Sequence, residues 1–210
     1  MACHHMVANK IALSTLKVLA NSIVILGVSL LANSCYLKFI QSGSLKSLGL
    51  LIVNSLFVVL YIAKRDATSI TVSPWLWLLG LAGSIVPLLL RSTDAMPLAA
   101  IGNAVQIVGT IAIVASLLSL RRSFGIVPAN RGVRTGGLYR FVRHPLYASE
   151  LFWMIGFVIA NPSLANIGLW AVDFVLQYSR AVAEERFLAN DALYSQYASR
   201  VRYRLIPRVI

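Results

Sequence analysis

Six apolar blocks separated by short polar and basic stretches set the pattern of this chain. They cover residues 18–37, 48–63, 74–90, 97–120, 146–160 and 163–178. A helix rising ~1.5 Å per residue needs about 20 apolar residues to cross a hydrocarbon layer about 30 Å thick. The first and fourth blocks meet that length, and the second and third approach it. The last two are short and parted only by Asn161-Pro162, so they predict a helical hairpin. Whether its tip crosses fully is left open. The pattern therefore predicts an all-α, polytopic membrane helical bundle of five to six membrane segments.

Small residues punctuate the blocks. Gly102, Gly109 and Ser116 fall seven apart, a stripe suited to close packing within one chain or between two. Gly80, Gly83 and Pro87 predict a kinked or thinned third helix. Trp75, Trp77 and Tyr61 lie near block ends and read as interfacial anchors.

Composition agrees with the pattern. The 210 residues are 58% hydrophobic and 12% charged, with a mean hydropathy of +0.76. Soluble domains are roughly half apolar and a quarter charged. The net charge of +12 would suit nucleic acid in a soluble protein. Here it reads as cations holding cytoplasmic helix ends, and no nucleic-acid partner is expected. With the N-terminus cytoplasmic, that face receives Lys10, Lys17, Lys64, Arg65, six arginines between 121 and 143, and six from Arg180 onward. Only Lys38, Lys46 and Arg91 fall on the other side. The inverse topology breaks the positive-inside rule.

No cleavable signal peptide is evident, so the first block reads as a permanent helix. Cys3 and Cys35 are too few and too separated for a disulfide framework, and Cys3-His4-His5 reads as a disordered tail and not a metal site. The absence of an internal repeat gives an inverted-repeat transporter little support.

Chemistry concentrates in the last third, and the chain divides by character into a transmembrane region, 1–120, and a region of loop, hairpin and tail, 121–210. Residues 134–147 (RTGGLYRFVRHPLY) form an arginine-rich, glycine-containing interruption holding His144, the one histidine beyond the N-terminus. Gly136-Gly137 alone fits an ordinary turn, and His144-Pro145 alone fits a helix start. On the last helix Asp173, Gln177, Arg180 and Glu184 lie at offsets of four, seven and eleven, one stripe at 3.6 residues per turn. Arg180 and Glu184 by themselves read as an i,i+4 pair. Asp173 changes that picture, because an ionisable residue inside a span faces a bundle interior or a wet cavity. Glu150 either joins the same pocket or reaches to the interface.

Taken together, Thr135-x-Gly137-x-Tyr139, Arg143-His144-Pro145-x-Tyr147, Asn161-Pro162 at the tip and Arg180-x-x-x-Glu184-Glu185 resemble the isoprenylcysteine carboxyl methyltransferase family. More broadly they resemble membrane methyltransferases that include the phospholipid methyltransferases. The tail, with Tyr194, Tyr197, Arg200, Val201 and Ile206-Pro207, is similar too, so the likeness covers about residues 120–208. One departure is Ser149, where glycine is common in the family.

The resemblance implies an S-adenosylmethionine-dependent methyltransferase with its cofactor at the cytoplasmic surface, beside the C-terminus. It implies cofactor contacts at Gly137, Leu138, Tyr139, His144, Pro145 and Tyr147 on one side, and at Glu184 and Glu185 on the other. No metal is implied. For catalysis, Arg180 would orient a carboxylate acceptor, whereas Glu184 or Glu150 would deprotonate an amine, thiol or hydroxyl. The acceptor would be a lipophilic small molecule or lipid entering from the bilayer, either an isoprenylcysteine-like carboxylate or a lipid amine. Two other readings stand beside it: an NADPH-dependent reductase of the steroid 5-alpha-reductase type, and a non-catalytic membrane protein or small-solute carrier. Oligomeric state is not readable from the sequence.

Overall fold

A computed structural model describes residues 2–71, 73–93 and 98–209, with side chains described from Asn21 onward except at those gaps. Cys3, His4 and His5 therefore lie outside the described side chains. The chain forms two compact units, Met1–Ile62 and Ala63–Ile210. The first holds α1 (Ala2–Ser42) and α2 (Leu45–Ala63, whose last residue belongs to the second unit). Within this unit α1 is longer than the apolar block that predicts it, and the Tyr61 hydroxyl donates to Asn21 Oδ1 at 3.0 Å.

The second unit comprises α3 (Pro74–Ile85), α4 (Ala99–Leu120), α5 (Pro145–Ala160), α6 (Leu164–Leu188) and α7 (Ala192–Arg200). Contacts thus group α3 and α4 with the loop, hairpin and tail. Among the described residues, three stretches are long and apolar enough to cross a membrane: Asn21–Ser42, Leu45–Ala63 and Ala99–Ser123. Pro74–Leu89 and Pro145–Ala160 are shorter apolar helices. The fold is nearly all-α. Among the described residues, a two-residue antiparallel pair, β1 (Ser69–Ile70) with β2 (Ala129–Asn130), ties two loops together.

The local chemistry of helix ends explains these bounds. Pro74 and Pro145 each open a helix at a position where the missing N–H has no helical partner to lose. Ser163 caps α6 by accepting from Asn166 N, and Asp191 caps α7 by accepting from Leu193 N and Tyr194 N. Pro87 sits in a 3-10 turn, Val86–Leu89, that follows α3, so the expected disturbance of the third block lies at its end. The fourth block starts at Pro97 by sequence, but that residue lies outside the described part.

Lipid gives packed helices no hydrophobic drive toward one another, so close van der Waals contact must hold them. The stripe on α4 supplies it. A Cβ on Gly102 would lie 2.5 Å from the backbone of Gly156 and Ala160, and one on Gly109 would lie 2.9 Å from Trp153 Cα. Reciprocally, a Cβ on Gly156 would meet Gln106 N at 2.7 Å. Ser116 Oγ and Ser149 Oγ meet at 3.3 Å, and Ser149 also donates to Pro145 O at 2.7 Å. The small-residue stripe packs within the chain, against α5. Ser149 is part of that seam, so its hydroxyl is already occupied.

The hairpin tip is closed by two buried asparagines. Asn166 Nδ2 donates to Asn161 O at 2.8 Å and to Arg91 O at 2.9 Å, while its Oδ1 accepts from Arg91 N at 3.1 Å. Asn161 Oδ1 accepts from Thr93 N at 3.2 Å. These amides satisfy backbone groups that a non-helical connector would leave open where water is scarce.

Candidate functional site

The site lies within the second unit, where α6 returns beside the start of α5. Its deepest member is Asp173, fully buried, and among the described residues neither carboxylate oxygen has a hydrogen-bond partner. One turn on, Gln177 is also fully buried. Its Nε2 donates to Glu150 Oε2 at 3.0 Å and to Gly83 O at 3.3 Å. Its Oε1 accepts from Arg180 Nη1 at 2.9 Å, which fixes the amide's orientation. Glu150 therefore faces the interior file and not the interface.

Arg180 makes no ion pair with Glu184 among the described residues. Its Nη2 donates to Ile126 O at 3.3 Å, and its guanidinium lies 4.7 Å from the centroid of the Tyr147 ring. The simple i,i+4 pair is thus replaced by a tertiary arrangement. Space for it comes from α3: a Cβ on Gly83 would sit 3.0 Å from Arg180 Cδ and Nη1, and one on Gly80 would sit 2.7 Å from Ile126 O. The paired glycines thin the third helix so that an arginine can lie against it. A small cavity opens here, lined by Leu79, Gly80, Ile126, Tyr147, Arg180 and Ala183, among others.

Toward the helix ends the file continues through aromatic groups to two carboxylates. The Tyr147 hydroxyl donates to Glu184 Oε2 at 3.2 Å. The rings of Tyr147 and His144 stack nearly parallel, 5.5 Å apart. His144 Nε2 is 3.2 Å from Glu185 Oε1, and its Nδ1 is 3.8 Å from Glu184 Oε2. The two glutamates differ in kind. Glu184 is one-third exposed. Glu185 is nearly enclosed, with Arg143 Nε at 3.0 Å and Arg204 Nε at 2.9 Å. The Arg143 contact is an ion pair without hydrogen-bond geometry. Burial alone would push the Glu185 carboxyl up, but hydrogen bonds from His144 and Arg204 and the charges of His144 and Arg143 outweigh it and hold it below its ordinary value.

Residues 137–144 reach this place through backbone constraints. Gly137 has φ +61°, and a Cβ there would collide with Ser119 Oγ. Both facts demand glycine. Leu138 N donates to Ser119 Oγ at 3.4 Å. Tyr139 is buried in a cluster with Tyr194 and Tyr197, and Tyr197 donates to its carbonyl at 2.7 Å. Burial, reinforced by the charge on Glu184, pushes the Tyr139 phenol well above its ordinary range. The tail then pairs with the loop: Arg143 N donates to Tyr203 O and His144 N to Arg204 O.

The structure brings together Arg180, Glu150, Tyr147, His144, Glu184 and Glu185. It places Gly137, Leu138 and Pro145 in supporting backbone roles, and Tyr139 beneath α7. Sequence reasoning missed Arg204. It is one arginine among several in a basic tail, and only the fold shows that it closes on Glu185. Leaving a buried carboxylate without a well-formed hydrogen bond is costly. Asp173→Asn is therefore expected to raise thermal stability in detergent by about 1 kcal/mol, while lowering any activity that uses the file. A lowered melting temperature would show that the carboxylate has a stabilising partner.

The donor set suits a cationic cofactor. Glu184 offers a partly exposed carboxylate beside stacked aromatic rings, which can hold a sulfonium or ammonium group. At Gly136, a Cβ would meet nothing within 4 Å, so the loop is open there.

Fold and site together define an integral membrane protein of helical class, with a polar file buried in a hairpin. Residues 91–196 match the phospholipid methyltransferase family, and the chain belongs to it. The chain also resembles the solved structure of the eukaryotic intramembrane Ras methyltransferase ICMT (isoprenylcysteine carboxyl methyltransferase), with a TM-score of 0.52 and 21% identity. That likeness covers 78% of this chain and 64% of the other, and it speaks for the fold. A stretch of 73 residues is 36% identical to the cobalt-zinc-cadmium resistance protein CzcN of Cupriavidus metallidurans, covering 34% of each protein. The chain thus spans about a third of that relative's length.

Proposed function

We propose that the chain is an S-adenosylmethionine-dependent methyltransferase acting on a lipophilic acceptor. The observation that carries this reading is the meeting of His144 and Tyr147 with Glu184 and Glu185 at 3.2 Å, at the mouth of a buried polar file. Family membership supports methyl transfer over nicotinamide-dependent reduction. S-adenosylmethionine, when bound, supplies an electrophilic methyl group on a cationic sulfur.

The chain's own contribution is placement and exclusion of water. Glu184 and the Tyr147–His144 stack hold positive charge. Glu185 is clamped by Arg143, His144 and Arg204, so it positions His144 and the loop. Arg180, anchored by Gln177 and Ile126 O, presents a cation to an acceptor carboxylate. For an amine acceptor, Glu150 or Glu184 takes the proton. The acceptor enters from the bilayer and the cofactor from the cytosol, on the face shared by both termini and the basic loops.

Binding of labelled S-adenosylmethionine to the purified chain tests the cofactor. Glu184→Gln and His144→Ala are each expected to weaken it at least about tenfold, the equivalent of one lost charge-assisted hydrogen bond. Arg180→Ala is expected to abolish turnover while largely retaining binding. Wild-type affinity in both of the first two variants would show that the pocket lies elsewhere. Absent S-adenosylmethionine binding together with NADPH binding would replace methyl transfer by reduction. Mass spectrometry of membrane extracts, with and without the protein, would show the acceptor as a lipid about 14 Da heavier, the mass of a CH2 unit.

A further inference from the structure

Away from the polar file, the second unit gathers cations from three separate segments. Lys64 and Arg65 follow the apolar residues of α2, Arg121 and Arg122 follow α4, and Arg131 and Arg134 lie in the loop beyond. They are held there by specific contacts. Arg65 N donates to Arg122 O at 2.8 Å, and Arg122 Nε donates to Ala63 O at 2.7 Å. Arg134 Nε donates to Ser123 Oγ, which itself donates to Arg131 O, both at 3.1 Å. Arg131 folds over Gly125, where a Cβ would collide with its guanidinium. Arg121 adopts φ +52°, a left-handed conformation that a non-glycine residue rarely accepts.

Few acidic residues belong to these segments. Of the seven acidic residues, Glu150 and Asp173 lie in the hairpin and Glu184 and Glu185 surround His144. Asp191 caps α7 and accepts from Asn130. Asp94 lies outside the described residues. Only Asp66 belongs to the basic segments. Like charges consequently act on one another: burial first, then Arg131, lowers the Lys64 pKa to about 8. Burial first, then Arg65 and Arg121, pulls Arg134 below its ordinary value. A fold that assembles repelling charges on hydrogen-bonded supports, with exposed guanidinium groups among them, is arranged for an anion.

We propose that Lys64, Arg65, Arg121, Arg122, Arg131 and Arg134 form a binding site for the phosphate-bearing headgroup of an anionic lipid. Several directional guanidinium groups suit phosphate oxygens better than a lone lysine does. The lipid source follows from placement. The cations begin immediately after the apolar ends of two helices long enough to cross the bilayer, at headgroup level.

The test uses the full chain in zwitterionic nanodiscs doped with phosphatidylglycerol, with retained lipid read by native mass spectrometry. Wild type is expected to retain phosphatidylglycerol in preference to the zwitterionic lipid. The double variant Arg121→Gln/Arg134→Gln is expected to weaken retention about 25-fold, at about fivefold per removed charge. Equal retention by the variant would overturn the site. Displacement of the lipid by millimolar inorganic phosphate would overturn the lipid source in favour of a soluble anion. Should the double variant fail to fold, Asp66→Asn gives the opposite sign: retention rises about fivefold, and unchanged retention counts against the proposal.

Discussion

Glu185→Ala is expected to destabilise the protein by about 3–5 kcal/mol, the usual loss when one partner of a buried ion pair is removed. It is also expected to abolish cofactor binding. The reason is the number of groups that converge on one enclosed carboxylate. Arg143, His144 and Arg204 all meet it within 3.2 Å, and two of them are joined to the tail by backbone hydrogen bonds. Removal therefore strands cations from the loop and the tail together. Thermal unfolding in detergent measures the first effect and S-adenosylmethionine binding the second. A loss below about 1 kcal/mol, the scale of an exposed pair, would show that the cluster is loosely held.

The same carboxylate sets a pH dependence. Its folded pKa lies below the ordinary carboxylate value, so its contribution is fully present above that ordinary value. Stability is then lost as pH falls through the depressed folded pKa. Glu185→Gln is expected to flatten the acid limb of the stability profile. A wild-type acid limb in that variant would assign acid lability to other carboxylates.

The second large effect is at the α4–α5 seam. Gly102→Val is expected to cost about 3 kcal/mol or more, at the upper end of overpacking penalties. The neighbouring atoms are backbone atoms of Gly156 and Ala160 at 2.5 Å, and backbone cannot swing aside as a flexible side chain does. Gly136→Ala is the matched control, because nothing lies within 4 Å of its Cβ, and it is expected to change stability by less than about 0.5 kcal/mol. Comparable losses at the two positions would show that the seam is not close-packed.

Much of this arrangement was legible beforehand. Block length and basic-residue placement predict the spans and the hairpin, because a bilayer imposes a minimum apolar length. The glycine stripe predicts close packing, although its partner is visible only in the fold. At 3.6 residues per turn, Asp173, Gln177, Arg180 and Glu184 must share a helix face. The spacing could not say which of them bond. The i,i+4 pair that Arg180 and Glu184 suggest when taken by themselves gives way to Arg180 reaching Gln177 and Ile126 O, because Gly83 on another helix leaves room for it.

What the sequence alone determined is therefore whatever depends on neighbours along the chain: the apolar blocks, helix face, the turn at Asn161-Pro162 and the identity of the polar motif. Tertiary structure decided what depends on distance in space. It divided two adjacent glutamates, leaving Glu184 partly open and enclosing Glu185 between the loop and Arg204. It turned Glu150 inward to Gln177, and it placed Tyr139 under α7. A charged side chain bonds whatever packing brings within about 3 Å, and among the described residues those partners lie up to 61 residues away along the chain.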